Sequence, residues 1–237
     1  MGETQSTPIP FAQGMAAGLS ELSGASPAQI NVLSDAAGAL HVRPGIRAWS
    51  EFGTAPVDSP VIGIFEWRQW TLFVTEDRSL CALDAAGSVL DLGYSLGGTG
   101  RPVFAYDQER VVVTGGGAPV QWQGAGAATE LAPGMTDPSG SPLTLTHIQY
   151  LSQRFIGNVN SNTGIVQWSK PGPGDHDQWP IVGPYYAEAE ASPDPLVAFW
   201  ANANEGFAFG TETTQVYVAD NAVGFSVAAS QNVGCLV

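Results

Sequence analysis

The sequence predicts an all-β fold built of β-propeller-like repeats of antiparallel sheets, on three observations. From Ile30 onward, short apolar runs rich in β-branched and aromatic residues alternate with Gly, Asn, Asp or Pro. Gly and Pro number 29 and 17 among 237 residues, a density of turns that argues against a helical bundle. Aromatic markers end successive runs at Trp67, Tyr106, Tyr150 and Trp200, with spacings of 39, 44 and 50 residues. Propeller blades repeat at about 40–50 residues and hold up to four antiparallel strands. A sandwich of regularly spaced strands is the rival architecture.

Residues 1–28 are small, polar and punctuated by Pro and Gly, and read as an N-terminal arm with one weakly helical stretch, Phe11–Leu22. Residues 29–237 read as the propeller-like domain, with an opening repeat over 30–55 and four marked ones, about five in all. The predicted strands are Val61–Phe65, Thr71–Thr75, Ser79–Leu83, Val103–Tyr106, Arg110–Thr114, Val120–Trp122, Leu143–Tyr150, Arg154–Val159, Ile165–Trp168, Leu196–Trp200, Gly206–Gly210, Gln215–Val218 and Gly224–Ala228. In each marked repeat a third run ends 16 to 18 residues after the marker, at Leu83, Trp122, Trp168 and Tyr217. Asp35–Leu40 and Asp84–Leu90 read as equivalent hairpin turns, with Gly38 and Gly87 supplying a positive φ. Gly97-Gly98-Thr99-Gly100 and Gly115-Gly116-Gly117 read as inter-strand turns, since neither opens a helix with the Lys of a phosphate loop. The apolar end of the chain, Val233–Val237, suggests a ring that is incomplete in this chain and closed by missing sequence or by a partner.

Charge narrows the function classes. Lys and Arg total 8 against 22 Asp and Glu, a net charge of −14, and Lys170 is the one lysine. Gripping DNA takes clustered cations that displace phosphate counterions, and the sequence has no such cluster. An anionic membrane surface is disfavoured for the same reason. Mean hydropathy is +0.04 with no run of about 18 apolar residues, so no membrane anchor is expected. The first residues lack the basic and apolar regions of a signal peptide, which predicts synthesis in the cytoplasm. Cys81 and Cys235, 154 residues apart among apolar neighbours, read as small buried hydrophobes, with a long-range disulfide as the alternative.

No catalytic, cofactor or metal residues are assigned. Asp175-His176-Asp177 is the one clustering of metal-capable side chains, but three adjacent loop residues point in different directions, so it reads as a solvated loop. His41 and His147 lie in apolar strands without a Ser or Cys at triad spacing. Glu188, Glu190 and Asp194 imitate paired glycosidase carboxylates, but their Ala, Ser and Pro neighbours indicate an exposed loop. Asn160–Trp168 departs from the sialidase Asp-box in having Asn162 for the Asp and Trp168 one residue late. Trp67, Trp70, Trp122, Trp168, Trp179 and Trp200 read as inter-sheet packing, with sugar stacking as the alternative.

In order along the chain stand Ile30-Asn31-Val32-Leu33, the turn Arg43-Pro44-Gly45-Ile46, Tyr150–Phe155, the Trp-rich Ile165–Ser169 and Asp177–Trp179, and Thr211–Tyr217. This order of features resembles the packaged-DNA stabilisation, or tail hub (nozzle), proteins of short-tailed bacteriophages. Members of that family are about twice this length, and the chain matches their N-terminal half. The resemblance implies a non-enzymatic virion tail subunit. It would form a sixfold ring with itself, below portal-adaptor proteins and near tail needle or fibre proteins, retaining packaged DNA and conducting it at ejection. The acidic charge suits a lumen holding DNA without sequence-specific binding. The structural and interface candidates are Asn31, Arg43, Pro44, Gly45, Trp67, Tyr106, Tyr150, Trp168, Trp200 and Tyr217. The alternatives are a self-contained carbohydrate-binding propeller and a propeller glycoside hydrolase.

Overall fold

The computed structural model describes residues 32–34, 40–42, 59–160, 164–181, 184–188, 195–202, 204–220 and 224–231. The chain divides between Glu51 and Phe52 into two units. Of the first unit, the described part is an antiparallel hairpin of β1 (Val32–Ser34) and β2 (Leu40–Val42), paired Val32 to Val42. The arm over residues 1–28, together with Asn31, Arg43, Pro44, Gly45 and Cys235, lies outside the described residues.

The described part of the second unit holds four four-stranded antiparallel sheets in which each strand pairs with its neighbour in sequence. The first contains β3 (Val61–Trp67), β4 (Trp70–Thr75), β5 (Ser79–Leu83) and β6 (Val89–Ser95). The second contains β7 (Val103–Tyr106), β8 (Val111–Thr114), β9 (Val120–Trp122) and β10 (Thr129–Glu130). The third is β11 (Leu145–Leu151), β12 (Arg154–Val159), β13 (Ile165–Trp168) and β14 (Tyr186–Glu188). The fourth is β15 (Leu196–Asn202), β16 (Glu205–Gly210), β17 (Thr214–Asp220) and β18 (Gly224–Gln231). The first strands touch in succession, β3 to β7, β7 to β11 and β11 to β15. The turn read over Asp84–Leu90 joins β5 to β6: Gly87 has a φ of 87°, and Asp84 Oδ1 accepts the amides of Ala86 and Ser88.

The predicted runs fall on thirteen of these strands, with ends shifted by up to three residues. The three they leave out, β6, β10 and β14, are all fourth strands of their sheets. β10 has both residues exposed and β14 has none buried; β6 does alternate, at Leu90, Leu92 and Tyr94, but its first two residues fall in the run read as the Asp84–Leu90 turn. Glu188, expected in a loop, belongs to β14, where it pairs with Ile165.

A narrow sheet with apolar residues on both faces must be covered on both, and three buried clusters between successive sheets do this for the second and third sheets. Between the first and second lie Trp67, Leu72, Val74, Leu80, Val113 and Trp122, with Trp122 edge-on to Trp67 and Trp70 at 6.1 and 5.1 Å. Between the second and third lie Val112, Leu131, Leu145, Ile148, Phe155 and Trp179. Between the third and fourth lie Ile156, Val166, Trp168, Phe199, Tyr217 and Phe225.

The aromatic markers are not equivalent positions, contrary to the alignment that suggested the repeat. Trp67 and Tyr106 are the last residues of β3 and β7, Tyr150 is one from the end of β11, and Trp200 two from the end of β15. Strand side chains alternate, so Tyr150, one residue from its hairpin end, faces opposite to Trp67, and the Asp107–Arg110 pair that extends the β7–β8 hairpin puts Tyr106 at the same one-residue offset. Trp67 is buried and Tyr150 half-buried, whereas Tyr106 and Trp200, expected in the packing, are 55% and 50% exposed.

The two glycine segments interlock. The 97–100 linker lies on the β8–β9 turn so closely that a Cβ on Gly117 would fall 2.5 Å from the carbonyl carbon of Gly97. Arg78, at a φ of 71°, donates from its guanidinium to the carbonyls of Gly97, Gly100 and Gly115 at 3.3, 2.8 and 3.2 Å. The turns thus fasten the first sheet to the second. Gly117→Ala is expected to cost about 1–3 kcal/mol in urea unfolding, because backbone must move to admit the methyl. Gly174→Ala, with open space around it, should fall within about 0.5 kcal/mol of wild type.

Cys81 is buried with a free thiol, on β5. Burial, followed by the charges of Asp91 and Asp77, pushes its pKa up to about 11. Alkylation of Cys81 by iodoacetamide at pH 8 should therefore be at least ~100-fold slower in native protein than in urea, as read by peptide mass spectrometry.

Candidate functional site: the cleft at the first hairpins and its buried Asp107–His176 latch

The first two strands of each sheet form a hairpin, and three of these hairpin tips are strained or tightly bonded. The β3–β4 and β11–β12 turns are two-residue turns in which non-glycine residues adopt positive φ: Arg68 at 55°, Ser152 at 48° and Gln153 at 63°. Between β7 and β8, Asp107 Oδ1 accepts the amides of Glu109 and Arg110, each at 2.7 Å, and the Asp107 amide donates to the Arg110 carbonyl. This is the local reason an Asp ends one β-branched run and an Arg opens the next.

These tips enclose a cleft of about 490 Å³ lined by Glu66, Trp67, Arg68, Tyr106, Asp107, Gln108 and Tyr150. Trp67 is its buried floor, and the Arg68 guanidinium lies 4.5 Å from the centre of that indole. Tyr106 stands exposed at one wall with its ring 5.7 Å from Phe65. Tyr150 forms the other wall, its ring 5.1 Å from Phe155 and 5.8 Å from His176. Burial, and then the charge of Asp107, raises the Tyr150 phenol above its ordinary pKa, so it stays a neutral donor. Three markers that the sequence placed at strand ends, Trp67, Tyr106 and Tyr150, are thereby brought to one place. Trp168, Trp200 and Tyr217 are not.

Beneath the cleft, His176 overturns its expected placement. Asp175 and Asp177 are exposed, but the imidazole between them is buried, with the residue 1% exposed. The loop after β13 folds back so that His176 Nδ1 lies 3.0 Å from Asp107 Oδ2 and Nε2 lies 3.1 Å from the Gln153 carbonyl. Its ring packs edge-on against Phe155 at 4.9 Å. The Arg110 guanidinium reaches the same loop, donating to the Pro173 carbonyl at 2.6 Å and to Gln121 Oε1 at 2.9 Å, with Nε 3.4 Å from Asp107. The cluster fastens the third sheet's loop to the second sheet. Sequence order conceals it, since Asp107 and His176 are 69 residues apart, and the one visible signal is the Asp turn before Arg110.

Burial by itself pushes the Asp107 carboxyl up. The His176 ring, the amides of Glu109 and Arg110 and the Arg110 charge together outweigh it and hold the carboxyl below the usual carboxylate range. His147 is mostly buried, which pushes its pKa down, and its Nδ1 meets Thr146 Oγ1 at 3.3 Å. Among the described residues no three His, Cys, Asp or Glu side chains converge as metal ligands. Glu190 and Asp194 lie outside the described residues, as do Ser161–Thr163 of the Asp-box-like stretch.

His176→Gln should destabilise the protein by about 1–3 kcal/mol, since it removes the ring that hydrogen-bonds the buried Asp107 carboxyl. The double variant with Asp107→Asn should lose less than the sum of the two single variants. A carboxyl whose folded pKa is depressed contributes stability above its unfolded pKa and loses that contribution as pH falls through the folded one. The stability gap between wild type and Asp107→Asn in urea should accordingly be full at pH 6 and close below the usual carboxylate range.

Among solved structures, the chain is similar to the computationally designed Ika8 protein at 15% identity and a TM-score of 0.48, over 73% of this chain and 49% of that one. Hsv2 of Kluyveromyces lactis matches at 12% identity and a TM-score of 0.50, over 74% and 52%. AztD of Citrobacter koseri matches at 12% and 0.49, over 78% and 48%. The chain thus spans about half the length of these three proteins, and the likeness is one of fold alone. No curated protein matches. A family model described as Bacteriophage P22 Gp10, beta-propeller, matches residues 27–235, which takes in all four sheets, the cleft and the latch. The chain belongs to this phage stabilisation family of β-propeller structural proteins.

Proposed function

We propose that this phage structural protein is a tail hub, or nozzle, subunit that assembles as a sixfold ring, extends the portal-adaptor channel, retains packaged DNA and conducts it at ejection. The observation that carries the reading is the family match over residues 27–235. The family is a structural one and implies a place in the virion. Placement in the tail, the sixfold ring, the adaptor above and the needle or fibre proteins nearby are this proposal's own content. So is closure of the propeller with sheets beyond these four.

The charge distribution supports conduction without adhesion. Against a net charge of −14, several described cations are already engaged. Arg78 is held by three carbonyls, Arg110 is buried, Arg68 lies over Trp67, and Lys170 Nζ donates to Gln178 Oε1 at 2.6 Å. A surface of this kind repels phosphates and offers no comb of lysines to slow a passing duplex.

Quantitative mass spectrometry of density-purified particles tests the proposal. The expected copy number is half that of the portal subunit. Absence from particles, or a copy number equal to that of the fibres, sinks it.

A further inference from the structure

We propose that the cleft at the three hairpin tips is a binding site for a neutral saccharide, with Tyr106 as its stacking platform. The inference is independent of the tail proposal, because it concerns a site that the family match leaves unassigned.

The chemistry of the walls selects the ligand class. Tyr106 is a large aromatic side chain, 55% exposed, at the rim of a cleft of about 490 Å³, a volume within the ordinary range of small-ligand sites. An exposed tyrosine face offers an apolar surface to the C–H face of a pyranose, while its hydroxyl stays at the wet edge. Around it stand the groups that hydroxyls use: the Glu66 carboxylate and Gln108 amide, both exposed, and the Tyr150 phenol on the opposite wall. Bound sugars need acceptors and donors in this mixture, since every hydroxyl does both.

The same walls disfavour the other classes. Phosphate-bearing ligands would meet Glu66 and Asp107, and the one guanidinium lining the cleft is stacked on Trp67. An extended peptide would look for a free strand edge, but the cleft lies at hairpin ends whose backbone is turned and internally bonded, as between Asp107 and Arg110. The platform is also rigid. Tyr106 sits next to Asp107, which the amides of its own turn and the His176 ring hold in place from below. Two residues at positive φ, Arg68 and Gln153, fix the flanking tips. A preorganised wall of this kind spends little ordering entropy on binding.

Titration calorimetry of the full chain tests the site. The probes are the methyl glycosides of glucose, galactose, mannose, rhamnose and N-acetylglucosamine, together with maltose, cellobiose and lactose. At least one should bind with a Kd of about 1 mM or tighter. Tyr106→Ala should weaken that binding at least ~10-fold, and Tyr106→Phe, which keeps the stacking face, by less than ~3-fold. Gln108→Ala should weaken it by about 3–10-fold. Tyr94→Ala, on β6 beside Glu130, should leave it unchanged. The proposal is overturned if every saccharide fails to bind at about 10 mM. It is equally overturned if binding survives Tyr106→Ala, or if a proline-rich decapeptide binds at Tyr106 where the saccharides do not.

Discussion

A four-stranded meander of strands two to eight residues long is too narrow to bury its own side chains, and when both faces are apolar it is stable only with a neighbour on each. This constraint organises the described part of the protein. Val112 and Val113 are adjacent on β8, yet one enters the cluster with the first sheet and the other the cluster with the third. Ile156 and Phe155 divide in the same way on β12. Alternation along a strand thus becomes succession of sheets, and the second and third sheets each serve as core for two others. On the fourth sheet, Phe199 and Tyr217 meet the third, while Trp200, Phe207 and Phe209 form a row of rings spaced 5.8 and 6.3 Å on the opposite face.

Face packing leaves the relative slide of two sheets poorly fixed, because apolar contact is non-directional. Polar staples supply the direction. Arg78 and the interlocked glycines fix the first sheet to the second. Thr114 Oγ1 and the Gly116 amide both donate to the Leu145 carbonyl, at 2.5 and 2.9 Å, and fix the second to the third on the same side. The Asp107–His176–Arg110 cluster joins the second sheet to the third sheet's loop at the other end. A buried ionic cluster contributes uncertain net stability but excludes wrong arrangements, since any slip strands a charge. The cleft above it inherits that rigidity.

In the two proposals the acidic surface and the cleft serve different ends. Net charge acts at long range and without geometry, which would suit the proposed channel wall that DNA passes without adhering. The cleft acts through a few groups in fixed positions, and its chemistry is that of short-range contact with hydroxyls and C–H faces. One chain carries both because the charge is spread over many exposed side chains, whereas the cleft depends on seven residues at three turns.

The sequence by itself determined the β class, the position of thirteen strands and the turn at Asp84–Gly87, because these follow from local preference and from short apolar runs between turn residues. It did not show β10 and β14, short edge strands without a buried residue, nor β6, whose start it read as part of the Asp84–Leu90 turn. It expected Tyr106 and Trp200 in the packing between sheets, but Tyr106 lies one residue before the Asp107–Arg110 pair that closes its hairpin, and Trp200 lies on the face of the fourth sheet away from the third. It read His176 as solvated, since its neighbours Pro171–Asp175 and Asp177 all speak for a loop. Only the tertiary structure brings Asp107 and Gln153 to the two ring nitrogens, and only it gathers Trp67, Tyr106 and Tyr150 around one cleft. Local sequence encodes the strand; which strands meet is decided by how whole sheets cover one another.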